Sequence, residues 1–176
     1  MDKSLIIETL RANHLRFDQL IGGLDADAFV RESNGKWSAA QHLDHIVRSV
    51  APVNTAFGLP KTALRLIFGM ANRPSRSSDE LTERYRAKLA AGGRATGRFV
   101  PPSVGAGDRA RLLGRLSKLV ASLAGRIERC GEDELDRFVL PHPLLGKLTL
   151  REMLMFTAYH IEHHRRLVEP AAETQE

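Results

Sequence analysis

Three of the seven histidines in this 176-residue chain fall within five positions, at His160, His163 and His164 in the stretch FTAYHIEHHRR. Residues four apart are neighbours on a helix surface, so His160 and His164 can aim their rings at one point. His163 lies to one side of that line, on a wetter flank with Glu162, Arg165 and Arg166. The same H-x-x-x-H spacing supplies two metal ligands from a single helix in zinc proteases. Buried without partners, the pair would be costly, because each neutral imidazole has both a donor and an acceptor to satisfy. A divalent metal compensates if a third ligand arrives from another helix. His42 and His45 are the candidates; both flank the apolar stripe Leu43, Ile46 and Val50, and wheel geometry places His42 slightly closer without separating the two well.

Three neutral imidazoles leave one or more coordination positions open, as in catalytic rather than structural metal centres. A metal in such a set lowers the pKa of water to near ~7 in zinc enzymes and deprotonates a coordinating thiol outright. Nickel, zinc, iron and manganese all accept imidazole, so the donor set leaves the metal's identity open. The sequence offers no clear general base, since Glu162 points off the seam and Asp44 falls on another face from His45.

Four long helices must position these residues. Leu5, Ile6, Leu10, Phe17, Leu20 and Ile21 predict a first helix over about residues 3–22. Ser38 and Gln41 form a capping box that starts the second, and Pro52 is expected to kink or end it. Gly58, Pro60, Gly69 and Pro74 break the following segment into an irregular crossover with short helices near 62–68 and 79–90. Leu112, Leu116, Val120, Leu123 and Ile127 mark a third long helix that starts near Asp108 and stops before Gly131, and its polar face is lined with Arg and Lys. RFVLPHPLLGKLTL suits an extended loop or short hairpin, after which Thr149 and Glu152 box the start of the last helix. There Leu150, Met153, Thr157, His160, His164 and Leu167 follow alternating steps of three and four, a bundle-facing seam. The fold class is all-α: a four-helix bundle with a long irregular crossover between helices two and three, in one domain over 1–170 with a flexible tail at 171–176.

Composition narrows the function classes. At 43% apolar and 27% charged, the chain is an ordinary globular protein with enough length for one core. Cys130 is the single cysteine, so neither an intrachain disulfide nor a thiolate cluster can form, and a cytoplasmic setting is expected. No leader or stretch of roughly 20 apolar residues is present, so no membrane partner is expected. The net charge of +5 is uneven: residues 61–129 hold 15 Lys and Arg against 5 Asp and Glu. Only Phe68, Tyr85 and Phe99 interleave with these cations, too few aromatic residues for a nucleic-acid platform, which leaves steering of an acidic small molecule. His14 reads as a hydrogen-bonded core histidine, His142 as a loop residue, Trp37 as a core plug at one bundle end, and Cys130 as having no base beside it.

The stretch from Trp37 through Ser38 to His42 and His45, with HPLLGKLTLREMLMFTAYHIEHH far downstream, resembles the DinB/YfiT-like superfamily of metal-binding four-helix bundles. The resemblance implies a ligand histidine eight residues after the tryptophan and an H-x-x-x-H pair in the last helix. The matching positions are His45, His160 and His164, while His42 stands where such proteins usually carry an apolar residue. It also implies a thiol-dependent S-transferase that joins a low-molecular-weight thiol to an electrophilic small-molecule substrate. A hydrolase using metal-activated water and a non-catalytic metal-binding or stress-response protein are the alternatives. A homodimer through an outer helix face is the expected assembly.

Overall fold

The computed structural model describes residues 1–32 and 35–173. Helix α1 (Lys3–Gly23) starts where the Asp2 carboxylate accepts from the Leu5 amide, 2.8 Å away, and buries Ile6, Leu10, Phe17 and Ile21. Leu5 itself faces solvent. A short α2 (Ala26–Val30), capped by Asp25, follows. Helix α3 (Ala39–Phe57) opens on the expected box, with Gln41 N donating to Ser38 Oγ at 3.2 Å and Ser38 N to Gln41 Oε1 at 2.8 Å.

Pro52 does not end α3, which runs on to Phe57, so of the expected kink or end the end is excluded. The lost ladder bond is set against a buried stripe that continues past it through Val53, Ala56 and Phe57. The crossover holds α4 (Lys61–Phe68) and α5 (Ser78–Ala90), then 3-10 turns at Gly97–Phe99 and Ala106–Asp108. Helix α6 (Arg109–Glu128) is followed by a short α7 (Glu132–Arg137), which the sequence reading did not resolve. Strands β1 (Val139–His142) and β2 (Gly146–Thr149) pair as an antiparallel hairpin, with Val139 opposite Thr149 and His142 opposite Gly146.

The last helix, α8 (Leu150–Glu173), takes in residues 171–173, which the sequence reading placed in a tail; residues 174–176 lie outside the described set. Its seam is buried from Leu150 to His164, but Leu167 is half-exposed and Val168 turns inward instead. A strict heptad drifts off the contact line of a 3.6-residue helix, which accounts for the change of register at the end of the seam.

The long helices form a four-helix bundle in which α1 packs on α8 and α6, and α3 on α6 and α8. Helices α1 and α3, consecutive among the four, thus occupy opposite corners, as do α6 and α8. Helix α5 lies outside the bundle on α8. This arrangement sets the N-terminal half of α3 beside the middle of α8, where the histidines are. Among the described residues no helix is long and apolar enough to cross a membrane.

His142 ends β1 rather than sitting in a loop, and its Nδ1 accepts from the amides of Leu144 and Leu145 at 3.2 and 3.1 Å. Its ring meets Phe156 edge-on, 4.4 Å between centroids. Burial pushes its pKa down to about 4. Unfolded, the ring takes a proton near pH ~6.5. The stability held by the neutral acceptor is therefore complete above that pH, declines as the pH falls toward 4, and changes no further below it. The loss is on the order of 3 kcal/mol. Chemical denaturation at pH 7 and pH 4.5 should resolve it, and His142→Asn, which keeps an acceptor but cannot titrate, should show a smaller difference between the two.

Candidate metal centre

His45 comes from the second turn of α3, and His160 and His164 from successive turns of α8. All three are almost wholly buried. His45 Nε2 lies 3.4 Å from His160 Nε2, and His160 Nε2 lies 3.0 Å from His164 Nε2. One nitrogen from each ring falls within 4.8 Å of the others. Tetrahedral ligands at Zn–N distances of ~2.0–2.1 Å sit about 3.3 Å apart, close to the two separations that His160 makes.

The second ring nitrogens of His45 and His164 support the same assignment. His45 Nδ1 donates to the Phe99 carbonyl at 2.6 Å, which leaves Nε2 with its lone pair toward the cluster. Phe99 closes the 3-10 turn that Gly97 begins in the left-handed region at φ 55°, a conformation that a side chain would strain. Arg48, one turn beyond Asp44 and paired to it, donates from Nη1 to the Arg98 carbonyl at 3.3 Å and so tethers that turn to α3. His164 Nδ1 is 2.7 Å from His42 Nδ1. His42 thus enters the cluster beside His164, and His45 is the residue that brings its Nε2 to the pair on α8.

Burial dominates the electrostatics. It lowers the pKa of His45, an effect partly offset by the Phe99 carbonyl and by Asp44. It lowers those of His160 and His164 well below the ordinary value, with the other histidines adding repulsion between protonated rings. His42 is held at about 4 by burial first, then by His45 and His163. The rings are therefore neutral at pH 7, the form that ligates. Asp44 and Glu162, the nearest carboxylates in sequence, are engaged by Arg48 and by Arg165 with Arg166.

Trp37 is not a core plug: half-buried, it covers the cluster, its ring 5.0 Å from that of His45, 5.6 Å from His42 and 6.4 Å from His164. Helix α5 supplies Tyr85, whose ring meets His160 and His163 edge-on at 6.0 and 5.6 Å. Burial pushes the Tyr85 pKa up to about 12, so it stays a neutral phenol. His163 is half-buried and its pKa is lowered by burial and then by His45, Arg86 and Arg166, which brings two cations to the rim. Tyr159 stacks on His163 at 6.1 Å. The sequence signalled the histidines; it carried no sign of Phe99 or Tyr85, which act from the crossover.

Two other residues stand apart. His14 is half-buried on α1, and its Nε2 has no hydrogen-bond partner among the described residues, against the expectation of a bonded core histidine. Cys130 is buried with Lys61 Nζ at 3.0 Å and Glu134 Oε2 at 3.3 Å; burial, the larger effect, raises its pKa and keeps it a thiol.

The fold and site together define a four-helix bundle in which histidines from α3 and α8 converge beneath a tryptophan, in an arrangement that could hold a metal ion. The model of the DinB superfamily matches residues 9–168, and the chain belongs to that superfamily. Among solved structures it is similar to YfiT from Bacillus subtilis, described as a probable metal-dependent hydrolase with an unusual four-helix bundle topology. The two share 16% identity at a TM-score of 0.65, over 98% of this chain and 87% of that one, which shows a common fold. No functionally curated protein matches the chain.

Proposed function

We propose that this protein is a metal-dependent enzyme that activates a low-molecular-weight thiol at His45, His160 and His164 and joins it, through its sulfur, to an electrophilic small molecule. The observation that carries the reading is the charge of the donor set: three neutral imidazoles, buried, with the neighbouring carboxylates already paired to arginines. A divalent ion held there supplies a Lewis acid that converts a thiol to its nucleophilic thiolate near neutral pH.

The chain's own residues do the rest. The imidazoles contribute no negative charge, so an ion among them keeps its full charge in a poorly solvated place and selects for an anionic partner. Trp37 and Phe156 exclude water from two sides of the cluster. Arg86 adds positive charge to the rim by His163, where Arg166 is already paired with Glu162, and this favours a thiol that carries carboxylates, such as glutathione. Tyr85 sets a neutral phenol ring edge-on to His160 and His163.

The description of YfiT favours a second reading, in which the same centre activates water for hydrolysis. One assay separates them. Metal-loaded protein, supplied with glutathione and a model aryl halide or epoxide, should consume thiol; chelator or His45→Ala should stop it. Hydrolysis of a model ester or amide without thiol consumption would overturn the transferase in favour of the hydrolase.

A further inference from the structure

The contact between His42 and His164 joins two nitrogens that bear the same label, Nδ1 to Nδ1 at 2.7 Å. At that distance one of them must carry the hydrogen and the other must accept it. A neutral imidazole that offers Nε2 to a metal keeps its proton on Nδ1. His164 Nε2 points to His160 Nε2, 3.0 Å away. His164 Nδ1 is therefore the donor, and His42 Nδ1 the acceptor.

Without His42, the N–H of His164 would lie almost wholly buried against the Trp37 ring with nothing to receive it, and turning the ring to find a partner would carry Nε2 off the common point. His45 meets the same requirement through the Phe99 carbonyl. Both acceptors are neutral, whereas a carboxylate in either place would push electron density through the ring and lessen the charge felt by a partner at the open position. His42 itself is fixed by its place one turn before His45 on α3 and by the edge of Trp37, 5.6 Å between centroids.

From this geometry we infer that His42 is a positioning residue, which holds His164 in the Nδ1–H tautomer and aims its Nε2 at the metal position without ligating. The inference rests on the metal reading above and adds a specific role to a residue that the three-histidine set leaves out.

The test is titration of untagged protein with Co(II), read by competition with a chromogenic chelator and by the visible absorption bands of the bound ion. His42→Leu should keep one-to-one stoichiometry, bind about 10–100-fold more weakly, and shift the bands. His42→Asn, whose amide sits where Nδ1 was, should stay within a few-fold of the parent and restore its spectrum. His42→Gln carries its amide farther out and should behave as the leucine variant does. Should His42→Leu fail to fold, the contrast between asparagine and glutamine still decides. Parental affinity and spectrum in both His42→Leu and His42→Gln would overturn the inference, as would a loss of stoichiometric binding equal to that of His45→Ala, which would make His42 a ligand. If His45→Ala itself binds Co(II) as the parent does, the metal reading fails, and this role goes with it.

Discussion

Alanine at His160 should abolish tight binding of a divalent metal, with an affinity loss of about 10²–10³-fold. Binding free energies of roughly 10–16 kcal/mol for histidine- and cysteine-held zinc, divided over the ligands, come to ~3–4 kcal/mol for each. His160 has a central place in the cluster, since its Nε2 is the one within 3.4 Å of both His45 Nε2 and His164 Nε2. The loss should also be legible in stability. A metal present at 100 times its Kd stabilises the parent by about 2.7 kcal/mol, because it binds the folded state alone. That increment should vanish in His160→Ala. His163→Ala removes a ring from the rim and should stay within a few-fold of the parent in metal affinity, although His163 is three residues from His160. Calorimetric titration with zinc, together with melting curves with and without metal, checks both; equal behaviour of the two variants would refute the assignment.

The legible parts of the molecule were those that residue type and local spacing encode. The boxes at Ser38/Gln41 and Thr149/Glu152 mark where α3 and α8 begin, because a short polar side chain and a carboxylate or amide three residues on satisfy each other's amides. The i, i+4 spacing of His160 and His164 carried through for the same reason: helix geometry alone makes it a pair. The choice between His42 and His45 was not available locally. Both are buried on α3, and their roles diverge only because the long-range packing of α3 on α8 brings one Nε2 and the other Nδ1 to the neighbouring helix.

The crossover was harder still. Phe99 acts through its backbone carbonyl, an atom that every residue type possesses, and it reaches His45 across 54 positions. Trp37 gave a signal of existence but not of direction. An aromatic ring before a helix cap packs equally well into a bundle end or over a site, and the run-in to α3 decides between them. Pro52 does not stop α3, since the apolar stripe on which the helix docks continues past it through Val53, Ala56 and Phe57.

Glu152 is where a local signal concealed a long-range one, and its replacement should carry the largest stability cost in the chain. It closes the box at the head of α8, accepting from Thr149 N at 2.9 Å, yet its carboxylate is wholly buried. Arg73 clamps it from the crossover with two bonds of 2.6 and 2.8 Å, and the Arg76 amide donates a third at 2.7 Å. Burial alone would raise its pKa, but Arg73, Arg76 N and Thr149 N together outweigh that and hold it below the ordinary value. Glu152→Ala leaves the Arg73 guanidinium and two amides without their acceptor, a cost of about 3–5 kcal/mol, or roughly 10 °C in Tm for a chain of this size. Glu152→Gln keeps the shape and part of the bonding and should fall between. The sign with pH follows from the lowered pKa: the stabilisation is whole above the unfolded carboxyl value of ~4.3 and disappears as the pH falls through the lower folded value. Denaturation from pH 7 to pH 3 should therefore show the parent losing more stability than Glu152→Gln, whose amide has no charge to lose. Because the network ties residues 73–76, just ahead of α5, to the first turn of α8, loosening it should also release Tyr85 from its place beside His160. Quenching or exchange measurements on α5 would then change in Glu152→Ala well below its melting temperature.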